Sequence, residues 1–318
     1  MVHSPTVTRF ALRSLLTGVF LLGGIATGCR RADTKPVKAS GPVYATTPGK
    51  EVRRTQLRIA IHPLHNPSRL VADYQPLVDL LNARIPEANF VVEASRDYQE
   101  YERKIATHEL EFLLPNPWQS LEAMKSGYTV IAMAGEPRDF KGLLIVRRDS
   151  GIHQVADLRG KAAAYPSPTA LAACIMPQWF LHTHGLDVNR DLDNRYVGSQ
   201  ESAIMNVYLH LTAVGVTWPP PWREFVASHP KEAAELEVAW ETESLVNNSV
   251  MARRDQPVAL RERVRDVLLT LDRTAAGRAI LAGIETERFR PATDADYERV
   301  RQFVERFEAE VRPVKGVP

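Results

Sequence analysis

Residues 143–165 read LLIVRRDSGIHQVADLRGKAAAY. Leu143-Leu144-Ile145-Val146 is a short apolar run closed by a charged, glycine-ended turn, Arg147-Arg148-Asp149-Ser150-Gly151. After Val155-Ala156-Asp157-Leu158-Arg159-Gly160-Lys161 a second run, Ala162-Ala163-Ala164-Tyr165, has the length of another buried strand. An alternation of strands and helices therefore ends near Val146 and starts again near Ala162. That restart divides the body of the chain.

Upstream, Leu57, Ile59 and Ile61 alternate with Arg58, Ala60 and His62, a strand pattern, and His62-Pro63-Leu64-His65-Asn66-Pro67 punctuates it. Tyr74, Leu77, Val78 and Leu81 fall at helical spacing, and Phe90-Val91-Val92 is β-branched. A helix is predicted over 97–107, with Tyr98, Tyr101 and Ile105 on one face, then strands over 110–114 and 128–134. Downstream, Ser167-Pro168 reads as a helix start running to His184, kinked by Pro177. Strands follow at 195–197, 213–216 and 238–240; a last strand over 245–252 leads to helices only. The final helix places Tyr297, Val300, Val304, Phe307 and Val311 on one stripe. The pattern predicts an α/β fold of two lobes with mostly parallel sheets. Lobe one takes 53–147 plus 245–312 and lobe two 148–244, so two chain crossings form a hinge around a ligand cleft.

Composition narrows the function. Of 318 residues 44% are hydrophobic and 25% charged, which is globular. A net charge of +2, from 40 basic and 38 acidic residues, gives no basic face for nucleic acid. Two cysteines exclude a disulfide framework and a cysteine-built zinc site. His62 with His65, and His182 with His184, each lack an evident third metal ligand. No G-x-S-x-G, H-E-x-x-H, Walker or dinucleotide-binding glycine motif occurs, so neither enzyme chemistry nor a cofactor is expected.

The amino terminus carries Arg9 and Arg13, then 13 uncharged residues from Ser14 to Ala26, too few for a membrane span. Ala26-Thr27-Gly28-Cys29 is similar to a bacterial lipobox, with Ala26 where leucine is usual. The expectation is a lipoprotein signal over 1–28, acylation at Cys29 and a Pro/Ser/Thr/Lys-rich flexible tether over 29–52. Such a coil spans roughly 25–30 Å and would hold a periplasmic body just off a membrane. Loss of residues 1–28 removes two arginines and no acid, which balances the charges. Cys174, inside Leu171-Ala172-Ala173-Cys174-Ile175-Met176, reads as a buried, inert thiol.

Several segments together resemble the periplasmic phosphate/phosphite/phosphonate-binding proteins of ABC importers. They are Leu57 to Ile61, Tyr74-Gln75-Pro76-Leu77, Asp97-Tyr98, Leu143 to Gly151 and Asp157 to Lys161. Met176-Pro177, Gly198-Ser199-Gln200-Glu201-Ser202-Ala203 and Met251 to Asp255 continue the same order. The resemblance covers about 55–305 and implies a type II periplasmic-binding fold closing on a small solute. Departures are specific. Where the family places a hydroxyl cluster, this chain has Ala170-Leu171-Ala172, and Gln200 stands for the family's histidine. The acids that would hold an aminoalkyl group are replaced near Pro220 and Asn248.

The residues expected to line the cleft are His62, Asn116, Gln119, Tyr165, Ser167, Thr169, Gln200, Glu201, Trp218 and Asn248. Ser167 and Thr169 flank a helix start whose N–H groups either bind an anion or are simply capped. Thr217-Trp218-Pro219-Pro220-Pro221-Trp222 is expected to be extended and stiff, either an aromatic wall or a connector with buried indole. Asn116, within Pro115-Asn116-Pro117-Trp118-Gln119, offers an amide to ligand or to its own turn. The reading is a monomeric solute-binding lipoprotein feeding an ABC permease. The alternative is the same fold presenting its ligand to a membrane sensor such as a histidine kinase.

Overall fold

A computed structural model describes residues 56–315. The leader, Cys29 and the tether expected over 1–52 lie outside the described residues. Six strands form the first sheet: β1 (Gln56–Ile61), β2 (Asn89–Glu93), β3 (Phe112–Leu114), β4 (Tyr128–Ala134), β10 (Ser249–Arg253) and β11 (Phe289–Arg290), in the order β11-β4-β10-β3-β1-β2. β1 is parallel to β2 and β3, whereas β10 runs antiparallel between β3 and β4. The second sheet holds β5 (Leu143–Arg147), β6 (Lys161–Tyr165), β7 (Leu192–Tyr196), β8 (Val214–Thr217) and β9 (Leu236–Glu241), in the order β7-β6-β8-β5-β9. β6 is parallel to β7 and β8; β5 is antiparallel to β8 and β9.

Helices α1 (Pro67–Arg84), α2 (Tyr98–Ala106) and α3 (Pro117–Lys125) cross over between strands of the first sheet. In the second, a turn of π-helix (Leu171–Ile175) runs into α4 (Met176–Thr183), and α5 (Gln200–Tyr208), α6 (Pro219–Ser228) and α7 (Pro230–Ala234) complete the layer. α8 (Val258–Leu269), α9 (Ala275–Gly283) and α10 (Glu298–Glu310) return to the first sheet. The α10 stripe buries Val300, Val304 and Phe307, with Tyr297 just before it. Each such side chain contributes roughly 1.5–3 kcal/mol by leaving water.

Four expectations are corrected. β5, assigned above to lobe one, pairs at Leu143↔Thr217 and Leu143↔Glu241 and so belongs to the second sheet. All five of its residues are buried, and an unbroken apolar run fits the centre of either sheet equally well. A further strand, β11, follows β10. The Pro219-Pro220-Pro221 run is not extended but opens α6, because the first helical turn needs no N–H donors. Trp222 then stacks on Phe225, centroids 6.0 Å apart.

The fourth correction concerns the helix after β6. Ser167 does not cap it: the hydroxyl bonds Thr169, and the helical turn starts after Ala170. Pro177 stands in the first turn of α4, directly after a widened turn. A proline ring clashes with the carbonyl four residues back and brings no N–H. The turn ahead of it adopts i→i+5 bonds, Ile175 N to Ala170 O at 3.1 Å and Met176 N to Leu171 O.

The chain passes between the sheets twice, at 140–142 and 242–245, and the two crossings are bonded to each other. Thr242 N donates to Gly142 O at 3.0 Å, Gly142 N to Thr242 Oγ1 at 2.9 Å, and Leu245 N to Phe140 O at 3.0 Å.

Candidate functional site

Parallel strands end their carboxyl edges facing the cleft, where α/β proteins place ligands. His62 follows β1, Asn116 follows β3, Trp218 follows β8, and Asn248 immediately precedes β10. With Tyr98, Phe140, Ala170, Leu171, Ala172, Ala173 and Gln200 they line one narrow cavity between the sheets, with room for about one water molecule.

His62 is sealed in this wall at 4% exposure. Its backbone N and its Nδ1 both approach Leu114 O, at 3.1 and 3.0 Å. Burial pushes the imidazole pKa down to about 4. The ring is therefore neutral at pH 7, its Nδ1 proton held by Leu114, and Nε2 is left as an acceptor. Asn116 caps α3: its Oδ1 accepts from Gln119 N at 3.1 Å, and Gln119 Oε1 accepts from Asn116 N at 3.2 Å. The cap leaves Asn116 Nδ2 to donate across the cleft to Thr169 O at 3.3 Å. Gln200 Nε2 donates to Tyr98 Oη at 3.2 Å, and Gln200 Oε1 accepts from Thr217 Oγ1 at 2.9 Å. Tyr98 thus receives a hydrogen bond and keeps its own proton for a ligand. Trp218, 6% exposed, packs 5.6 Å from the Phe140 ring and 6.4 Å from His62. Asn248 is 8% exposed, and its Oδ1 has no partner among the described residues.

The widened turn completes the wall. An i→i+5 start leaves the N–H groups of Leu171, Ala172, Ala173 and Cys174 without an intrahelical acceptor, one more than an α-helical start. The side chains there are small and apolar, so an anion can approach the backbone itself. No lysine or arginine lines this cavity.

Five expected residues, His62, Asn116, Gln200, Trp218 and Asn248, meet in the cavity. The others do not. Gln119 turns away and donates to Glu102 Oε1 at 3.1 Å; Thr169 Oγ1 donates to the same oxygen at 2.6 Å. Burial raises the Glu102 carboxyl pKa, and those two donors partly offset the rise. Ser167 and Thr169 share a 2.9 Å hydroxyl contact. Tyr165 is buried beside Tyr196, centroids 5.9 Å apart. Glu201 is exposed, 3.7 Å from His229 Nε2. Tyr98 and Phe140 were missed as lining residues; Tyr98 carried its place on a helical stripe and in the resembling segment Asp97-Tyr98. Asp139, Glu285 and Glu287 line an adjoining cavity together with Pro220 and Asn248.

Among the described residues no group of three or more His, Cys, Asp or Glu is placed to hold a metal ion. Nor is any helix among them long and apolar enough to cross a membrane.

Residues 59–297 match the family of ABC-transporter phosphonate periplasmic substrate-binding proteins. A probable ABC-transporter phosphite-binding protein of Prochlorococcus marinus (strain MIT 9301) is 21% identical over 187 residues, 55% of this chain and 63% of that protein. The chain thus spans less than two thirds of that relative's length. A binding-protein component of an ABC phosphonate transporter from Pseudomonas aeruginosa superposes with a TM-score of 0.74 at 14% identity, over 80% of this chain and 87% of that one. A Prochlorococcus marinus protein in complex with methylphosphonate gives 0.73 at 17% identity, over 80% and 98%. The shared architecture is the type II periplasmic-binding fold.

Proposed function

Because the chain belongs to the phosphonate periplasmic substrate-binding family of ABC transporters, we propose that it captures a small phosphonate- or phosphite-like anion between its two sheets and delivers it to an ABC permease. The observation that carries this reading is the π-helical start. It sets backbone N–H groups against a narrow cavity that the Tyr98 hydroxyl also lines. Binding is by neutral dipoles: the helix start and a hydroxyl replace water around the oxyanion, in a site with no basic side chain. His62 stays uncharged and shapes the wall; its Nε2 suits the proton of a monoprotonated phosphonate. The cavity is complete within one chain, which supports a monomeric working form.

Calorimetry on residues 30–318 with methylphosphonate, phosphite and inorganic phosphate tests the reading. At least one is expected to bind at micromolar Kd or tighter. A ligand at about 100 times its Kd should add roughly 2.7 kcal/mol of stability, visible as a melting shift. No heat and no shift with any of the three would overturn it.

The same reading makes Cys29 the acylated residue that tethers the body to a membrane on its periplasmic side. Cys29→Ala is expected to move the protein from the membrane to the soluble fraction; equal fractionation of variant and wild type would sink the anchor.

A further inference from the structure

The loop that leads from β6 into the π-helical turn is held from the opposite lobe. Thr169 is buried and stands one residue ahead of Ala170, yet its hydroxyl donates to Glu102 Oε1 on α2 at 2.6 Å. The same oxygen accepts from Gln119 Nε2 on α3 at 3.1 Å. Gln119 Oε1 in turn accepts from Asn116 N at 3.2 Å, and Asn116 Nδ2 donates to Thr169 O at 3.3 Å. These bonds close a ring. Glu102, Gln119 and Asn116 enter it from the first lobe, and Thr169 enters it from the second. With its own proton on Glu102, the Thr169 hydroxyl accepts from Ser167 Oγ at 2.9 Å, so it has nothing left for a solute. Arg312 Nη2 grips the preceding carbonyl, Pro168 O, at 3.0 Å.

Glu102 itself does not line the inner cavity, whereas its ring partner Asn116 and the neighbouring Ala170 do. Its influence on the cavity therefore passes through the residues it holds. Among the described residues it pairs with no lysine or arginine. A carboxylate drawn out of water without a cation is costly, and two neutral donors offset only part of that cost.

We propose that Glu102 is a positioning residue for solute retention: it clasps Thr169 across the closed cleft and so fixes the π-helical turn against Asn116. The inference rests on the anion-binding reading of that turn and adds a residue that meets no solute. When the lobes part, the Glu102 carboxylate returns to water and its desolvation cost is lifted. The clasp thus slows release and still lets go.

Stopped-flow tryptophan fluorescence with methylphosphonate tests it, since Trp218 lines the cavity. Glu102→Ala should release methylphosphonate about tenfold faster, with association no slower. Glu102→Gln keeps an acceptor and has no charge to desolvate, so it should release no faster than the wild type. Thr169→Val should match Glu102→Ala, and the double variant should be no faster than either single one. Unchanged release in Glu102→Ala overturns the clasp. So does release from Glu102→Gln as fast as from Glu102→Ala, or an additive rise in the double variant. X-ray scattering on the ligand-free proteins reads the clasp without any solute: Glu102→Ala should have a larger radius of gyration than the wild type, and Glu102→Gln should not. Equal radii for all three overturn it. No binding of methylphosphonate by the wild type overturns the anion reading instead, and the scattering then decides the clasp alone. Thr169→Val serves in both measurements if Glu102→Ala fails to fold.

Discussion

His62 shows how one side chain couples the site to the stability of the whole. Its imidazole is held near pKa 4 by burial, against 6.5 in the unfolded chain. Between those values the unfolded state binds the proton and the folded state does not, so stability falls as pH drops from about 6.5 to 4. The full difference is roughly 3 kcal/mol. His62→Gln, which keeps an amide able to reach Leu114 O, should lose that much less on acidification. Urea unfolding of both proteins at pH 7 and pH 4 reads it, and parallel losses would rule out His62 as the source. At this scale the sequence was informative where a polar residue directly abuts a strand: His62, Asn116, Trp218 and Asn248 sit at or within two residues of strand ends. It was mute where topology brings elements together. Tyr98 and Gln200 are 102 residues apart and meet only across the cleft, and nothing local to either announces the 3.2 Å bond. Thr169, Ser167 and Gln119 carried the right chemistry but satisfy each other and Glu102, and so are lost to a ligand.

Among the elements the widened turn before α4 matters most. If Pro177 forces it, Pro177→Ala restores a donor and lets the segment rewind as an ordinary α-helix. That withdraws one free N–H and rotates the rest, so affinity for methylphosphonate should fall by about tenfold or more. Thermal stability should stay level or rise. Unchanged affinity would remove the proline from the account. Gly142 meets the same turn from the first crossing. A Cβ there would lie 2.5 Å from Ala172 O and from the Pro177 ring. Gly142→Ala should cost roughly 1–3 kcal/mol in a urea melt by overpacking. Strand existence was legible from alternation and β-branching, and the α10 stripe from its three-and-four spacing. The sheet that owns β5 was not, since a fully buried run bears no mark of its partners. The helical start at Pro219-Pro220-Pro221 was misread because three prolines suit an extended chain and a first helical turn alike.

Across the whole molecule, the lobes are latched by side chains that belong to opposite sheets. Arg69 on α1 pairs with Glu224 on α6, Arg223 with Glu285 at 3.3 Å, and Arg312 Nε with Gln178 Oε1 at 2.8 Å. Exposed pairs contribute about 0–1 kcal/mol each. Glu224→Gln should therefore lower the closed fraction and weaken methylphosphonate binding by roughly two- to fivefold. X-ray scattering should show a larger radius of gyration for the ligand-free variant; an unchanged radius and affinity would mean the pair does not hold the lobes. A last consequence lies in the strand order of the first sheet. β10 is wedged between β3 and β4, yet β4 ends at Ala134 and β10 begins at Ser249, 115 residues later. A chain emerging from its amino end at about 5–20 residues per second waits on the order of ten seconds for that strand. During the wait β3 and β4 have no neighbour on their facing edges, while β5 to β9, one continuous segment whose ends are bonded at Gly142 and Thr242, can close its sheet. The second lobe is thus built to mature first and the first lobe to be sealed by its return. In ribosome-bound chains halted before residue 249, amides in β6 and β8 should be protected while those in β3 and β4 are not, and equal protection of both pairs would contradict that order.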